Sequence, residues 1–191
     1  VEDSSAFNNT TVFTPYEPGS VFKPIGMGAA IDSGIVSPNT TFTDPCTRVI
    51  NGYTIRNADG KCYGLQTMTQ VLEKSLNTGA IFVQQLVGRE VFKSYIIRFG
   101  FGEKTDVDLS VETKGDIASL DRQGKVFAAT ASYGQGITAS PVQIVAAYAA
   151  LGNGGRLLRP YLVQEIRHPN GEREIIKPQV VRQVISPRAS R

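Results

Sequence analysis

Tyr16-Glu17-Pro18-Gly19-Ser20-Val21-Phe22-Lys23-Pro24 is the stretch on which the reading of this chain turns. It sets a hydroxyl nucleophile, Ser20, and an amine base, Lys23, three residues apart at the start of an expected helix. Residues i and i+3 share a helix face, so the lysine reaches the serine oxygen. A serine hydroxyl is a weak nucleophile until an adjacent base takes its proton, which makes this pair a candidate for attack on a carbonyl through an acyl-enzyme. A Ser-x-x-Lys spacing arises about once by chance in a chain of this length, so the context carries the argument. Pro18 and Gly19 are turn residues, Ser20 suits an N-cap before the apolar run from Val21, and Pro24 is tolerated only in a first turn. Ser20 is thereby expected at the positive end of a helix dipole. The competing reading is a capped helix with a solvated lysine.

Outward from this stretch, helical runs alternate with turns. Helices are expected over 21–33 with a stop at Gly34, over 67–76, from near Gly79 through Val87, over 90–99, and over 142–151 after Pro141. Residues 37–63 read as loop and hairpin, the latter turning at Asn51-Gly52. His168-Pro169-Asn170-Gly171 marks a second hairpin, between 161–167 and 172–176. The β-branched run 179–185 fits strand or helix, and 102–125 is polar and glycine-punctuated with little periodicity.

The 191 residues, 41% apolar and 19% charged, suit one soluble globular domain or a large part of one. A net charge of +3 without a lysine/arginine block argues against nucleic acid. No segment approaches the roughly 18–20 apolar residues of a membrane span. The chain opens on polar residues without a signal peptide, so it is either cytoplasmic or has any anchor upstream. Cys46 and Cys62 flank the first hairpin, whose closure makes a disulfide, and with it an oxidising compartment, as plausible as two free thiols. Two isolated cysteines and the single His168 make no metal-ligand set, and no cofactor is expected.

Ser75-Leu76-Asn77 stands at an expected helix-to-helix junction. There Ser75 could relay a proton, and Asn77 could hold a substrate amide by donating and accepting at once. A polar helix cap explains the same residues.

Taken together, 16–24, Ser75 to Asn77, Tyr133-Gly134-Gln135-Gly136-Ile137 and Ser140-Pro141-Val142-Gln143 resemble the transpeptidase domain of penicillin-binding proteins, most closely its class B, transpeptidase-only branch. Phe99-Gly100-Phe101-Gly102 ahead of Asp108-Leu109, and Ala147-Tyr148-Ala149-Ala150 before Gly152-Asn153-Gly154-Gly155, are similar to the family too. The likeness runs from about Phe7 to Pro187. It implies an α+β fold: the mostly helical portion of the transpeptidase domain with two β-hairpins, lacking most of the central antiparallel sheet. It also implies that Ser20 is acylated by D-alanyl-D-alanine termini and by β-lactams. Lys23 would be its general base, Ser75 the proton relay to the departing D-alanine, and Asn77 the binder of the donor peptide's amide. The Ser20 N–H would supply half an oxyanion hole. The implied partners are peptidoglycan stem peptides, β-lactams and cell-wall synthesis proteins. The implied setting is the outer face of the bacterial membrane, with an anchor upstream of this chain.

The family's third motif, Lys-Thr-Gly, has no counterpart here. Lys104-Thr105-Asp106 carries a side chain and negative charge where the motif needs glycine, and Thr113-Lys114-Gly115 is out of order. In the family that motif follows a segment like Val184-Ile185-Ser186-Pro187, so truncation before it is expected, along with absence of the first strands. Residues 105–112 also depart from the family's Thr-Gly and Pro-Gly, which bears on loop shape. Two other readings remain: a non-catalytic transpeptidase-like sensor or interaction module, and a serine β-lactamase, for which no deacylation base is identifiable. His168 in its exposed turn argues against a Ser-His-Asp hydrolase.

Overall fold

Helix α2 (Lys23–Asp32) is apolar on all sides, and a helix with no polar face has to be buried. Ile25, Met27, Ala29 and Ala30 are buried together with Phe22 ahead of them. Gly26 and Gly28 let neighbouring helices close on it, since a Cβ at Gly26 would lie 3.1 Å from the Phe92 ring and one at Gly28 2.9 Å from Leu151. In the computed structural model, which describes residues 8–191, α2 is thus the central helix. The opening stretch of the chain, including Phe7, lies outside the described residues.

Around α2 stand α1 (Thr10–Phe13), α3 (Met68–Glu73), α4 (Asn77–Val87), α5 (Arg89–Arg98), α6 (Lys125–Ala131) and α7 (Pro141–Gly152). The helices expected from periodicity are present within a few residues of their expected bounds. Helices α1 and α6 are additions, α6 being the longer. Helix α6 has seven residues, no side-chain cap and an alanine-rich sequence, so no amphipathic period announces it. Only packing of Ala128, Ala129 and Ala131 into the core makes it helical.

The strands form four two-stranded antiparallel sheets, in two nested sets. Strands β2 (Thr47–Ile50) and β3 (Tyr53–Arg56) make the first expected hairpin, enclosed by β1 (Thr41–Thr43) paired with β4 (Leu65–Thr67). Asn51 and Gly52 both have positive φ, +50° and +83°, as a two-residue I′ turn demands. Likewise β6 (Glu165–Arg167) and β7 (Arg173–Ile175) make the second hairpin, enclosed by β5 (Arg156–Leu158) paired with β8 (Val180–Gln183). The ambiguous run 179–185 is therefore strand where it is regular. Both outer pairs were illegible because each joins segments of three or four residues across more than twenty intervening ones.

Cys46 and Cys62 form a disulfide, with Cα atoms 4.6 Å apart, across the base of the first hairpin. Closing a loop of 16 residues removes unfolded-state entropy worth about 3 kcal/mol. Replacing both cysteines by serine is expected to lower the unfolding free energy by about that much, measured by denaturant titration under oxidising conditions.

The Ser140-Pro141-Val142-Gln143 stretch has a physical role. Ser140 and Gln143 form a capping box that starts α7. The buried Gln143 amide also donates to the carbonyls of Glu103 (2.7 Å), Lys114 (3.0 Å) and Gly100 (3.2 Å), tying two irregular turns to the helix. Among the described residues no helix is long and apolar enough to cross a membrane.

Candidate active site

The helix that carries Lys23 begins two residues later than its sequence suggests. Residues Gly19–Phe22 form a 3-10 turn, and α2 starts at Lys23 with Pro24 in its first turn. Ser20 is therefore not an N-cap. Its exposed hydroxyl makes no capping bond and instead lies 3.1 Å from Lys23 Nζ. The reason lies outside the helix. Gly19 takes a positive φ of +59° and its N–H donates to the Gly134 carbonyl at 2.9 Å, which sets the turn before any cap can form.

Lys23 is only 3% exposed, which removes the solvated-lysine reading. Its ammonium group also donates to Ser75 Oγ at 2.9 Å and to the Ser75 carbonyl at 2.5 Å. No carboxylate pairs with it among the described residues. Burial disfavours the charged form, and the Lys23 pKa falls from 10.5 to about 8. Neutral lysine can then keep two donor hydrogens on Ser75 and turn its lone pair to the Ser20 O–H.

Ser75 reaches Lys23 because of its backbone. It joins α3 to α4 with φ at +54°, a left-handed conformation unusual for a residue other than glycine. That bend turns both its carbonyl and its hydroxyl toward Lys23. Strain of this kind persists only where surrounding contacts over-determine it. Asn77, half-buried at the first position of α4, donates from Nδ2 to the Arg56 carbonyl of β3 at 2.9 Å. One N–H and Oδ1 of the amide remain for a ligand.

Four contacts that the residue pattern did not announce hold the turn that carries Ser20. Tyr16 exchanges both backbone hydrogen bonds with Ala139, each at 3.0 Å. Glu17 accepts from the Gly136 N–H at 2.9 Å. Gly134 packs directly on Gly19, and Tyr148 of α7 donates to the Val21 carbonyl at 2.7 Å. The sequence marks residues 133–137 only by their family likeness, and the stacking of Gly134 on Gly19 is a tertiary fact.

Ser20, Lys23 and Ser75 are thus gathered in one place, across 52 residues of sequence between Lys23 and Ser75, and Asn77 stands two residues beyond Ser75 with its amide on the Arg56 carbonyl. Lys104-Thr105-Asp106 is not part of that cluster. Its Thr105 and Asp106 amides wrap the Glu112 carboxylate, beside a 310 Å³ cavity between α7 and the β5–β8 pair. His168 is exposed at the tip of the β6–β7 hairpin, its Nε2 4.0 Å from Glu174.

Residues 2–191 match the family described as penicillin binding protein transpeptidase domain. Stage V sporulation protein D of Bacillus subtilis is 37% identical over 193 residues, covering 99% of this chain and 30% of its own length. Peptidoglycan D,D-transpeptidase FtsI of Escherichia coli is 30% identical over 180 residues, 94% of this chain and 30% of that protein. The chain spans about 30% of the length of these relatives. Among solved structures, penicillin-binding protein 3 of Mycobacterium tuberculosis complexed with aztreonam superposes with a TM-score of 0.87 at 30% identity, covering 96% of this chain and 41% of that one.

Proposed function

The chain belongs to the penicillin-binding protein transpeptidase family, and on that premise we propose that it carries the acylation half of a serine-type peptidoglycan D,D-transpeptidase site. The observation that carries this reading is the buried Lys23 ammonium shared between Ser20 Oγ and Ser75 Oγ. Neutral Lys23 takes the Ser20 proton as Oγ attacks the carbonyl of a D-alanyl-D-alanine terminus. Lys23 then returns the proton through Ser75 Oγ to the departing D-alanine amine, and the C–N bond breaks to leave the acyl-enzyme. The amine of a second stem peptide attacks this ester, forms the cross-link and restores Ser20.

Asn77, oriented by its bond to Arg56, holds the donor peptide's amide with the polar atoms left free. The Ser20 N–H donates to the oxyanion, an interaction worth roughly 3–4 kcal/mol in enzymes where such a donor was removed. β-Lactams acylate Ser20 by the same attack on their strained amide. The site works on the extracytoplasmic face of the membrane, anchored by a segment outside these residues and alongside cell-wall synthesis proteins. The Cys46–Cys62 disulfide fits that oxidising setting.

Incubation of the intact protein with a reporter penicillin, followed by intact mass, tests the reading. A long-lived adduct that Ser20→Ala abolishes is the expected result. Absence of an adduct on the wild type rejects it, and rapid release of hydrolysed penicillin points to a β-lactamase.

A further inference from the structure

The start of α4 is gripped by more than the Asn77–Arg56 bond. Asp44, between β1 and β2, and Asn57, just after β3, are each 4% exposed, and Thr78 is fully buried. Asp44 Oδ1 accepts from Thr78 Oγ1 at 2.8 Å and from the Cys46 N–H at 3.0 Å. Its Oδ2 accepts from Asn57 Nδ2 at 2.9 Å and from the Tyr63 N–H at 3.1 Å. Asn57 Oδ1 in turn receives the Thr78 N–H at 3.3 Å and lies 3.1 Å from its hydroxyl. Among the described residues no lysine or arginine pairs with Asp44, so neutral donors alone satisfy a buried acidic side chain.

Burying such a group is unfavourable unless every donor is in place, so a fold retains it where it specifies a geometry. What this cluster specifies is the residue next to Asn77. Thr78 follows Asn77 directly, and its backbone N–H and its hydroxyl are both taken by the lobe that also supplies the Arg56 carbonyl. Arg56 and Asn57 are likewise adjacent, so two consecutive residues of the lobe meet two consecutive residues of the helix. Rotation of either pair would aim the Asn77 amide elsewhere.

We infer that Asp44 and Thr78 are positioning residues that clamp the first turn of α4 to the hairpin lobe and thereby aim the Asn77 amide at the acylating ligand. The inference rests on the acyl-enzyme reading above and adds residues to it that do not touch the ligand.

A double-mutant cycle on the intact protein separates positioning from bulk stability. Thr78→Val removes the hydroxyl donor at nearly constant volume. Its acylation rate with the reporter penicillin, per folded molecule, is expected to fall about tenfold, and Thr78→Ser is expected to restore it to within about threefold. In an Asn77→Ala background the added loss from Thr78→Val should shrink below about twofold. Equal losses in both backgrounds, or a wild-type rate for Thr78→Val, overturn the inference. If Thr78→Val does not fold, Asp44→Asn, which keeps the shape of the side chain, makes the same comparison.

A wild type that takes up no penicillin rejects the acyl-enzyme reading instead. Amide exchange at residues 77–80 then reads the clamp alone. Faster exchange there in Thr78→Val, with distant helices unchanged, supports the clamp, and unchanged exchange overturns it.

Discussion

Replacing Lys23 by methionine is expected to lower the acylation rate of Ser20 by roughly 10²–10⁴-fold, the range a positioned general base contributes. Methionine fills much of the same buried volume, so the loss isolates the amine. The pH dependence gives the second signature. The base must be neutral, and burial lowers the Lys23 pKa to about 8. The wild-type rate should therefore rise about tenfold per pH unit below pH 8 and level off above it, while the residual rate of Lys23→Met lacks that step. Stopped-flow acylation between pH 6 and 10 measures both. A wild-type rate that is flat through pH 8 removes Lys23 from the role of base.

Stability should move with the same group. Its folded pKa of about 8 lies below the ordinary 10.5, so between those values the unfolded chain binds more protons than the folded one. Stability relative to Lys23→Met is therefore lowest below pH 8 and rises as the pH climbs toward 10.5. Denaturant titrations at pH 7 and pH 10 test this, and a difference between the two proteins that falls with pH contradicts it. The same burial that lowers the Lys23 pKa toward the range a base needs makes the residue a liability to the fold.

Replacing Gly134 by alanine is the second large effect. Gly134 has φ at +78°, and a Cβ there would lie 2.1 Å from the Gly19 carbonyl oxygen and 2.5 Å from the Gly19 nitrogen. These are backbone atoms, so no side-chain rotation relieves the overlap. The two turns must separate and lose the Gly19–Gly134 hydrogen bond. Strain and overlap together are expected to destabilise the protein by about 3–4 kcal/mol. Ser20 follows Gly19, so its oxygen moves away from Lys23. A displacement near 1 Å lowers reactivity about 100-fold. Gly171→Ala is the control, since that glycine has φ at +86° in a hairpin turn with no atom within 4 Å of the added carbon. It carries the backbone strain alone, roughly 1–2 kcal/mol, with acylation unchanged. Equal behaviour of the two variants in thermal unfolding and acylation would show that the stacking on Gly19 does not hold Ser20 in place.

Several features were legible because they are local. The Asn51-Gly52 hairpin follows from the turn type that only such residues accept. The start of α7 is written in Pro141, which stands in its first turn. The pairing of Ser20 with Lys23 follows from an i, i+3 spacing, which a 3-10 turn leading into a helix satisfies as well as one continuous α-helix does. What failed was also local in appearance but tertiary in cause. Ser20 looked like a cap, yet the stacking of Gly19 on Gly134 chose a 3-10 turn. The outer strand pairs and α6 were too short to show a period, and only their neighbours make them regular.

By itself, then, the sequence determined which residues could react, in what order they stand, and that a lysine lies one turn from a serine. The tertiary structure alone decided that Lys23 is buried, that its amine also meets Ser75 from 52 residues away, and that Asp44 bonds Thr78 beside Asn77. The physical reason is range. Turn preferences and helix periods are fixed by neighbouring residues, whereas burial and long-range hydrogen bonds exist only once α2, α4 and the hairpin lobe have packed together.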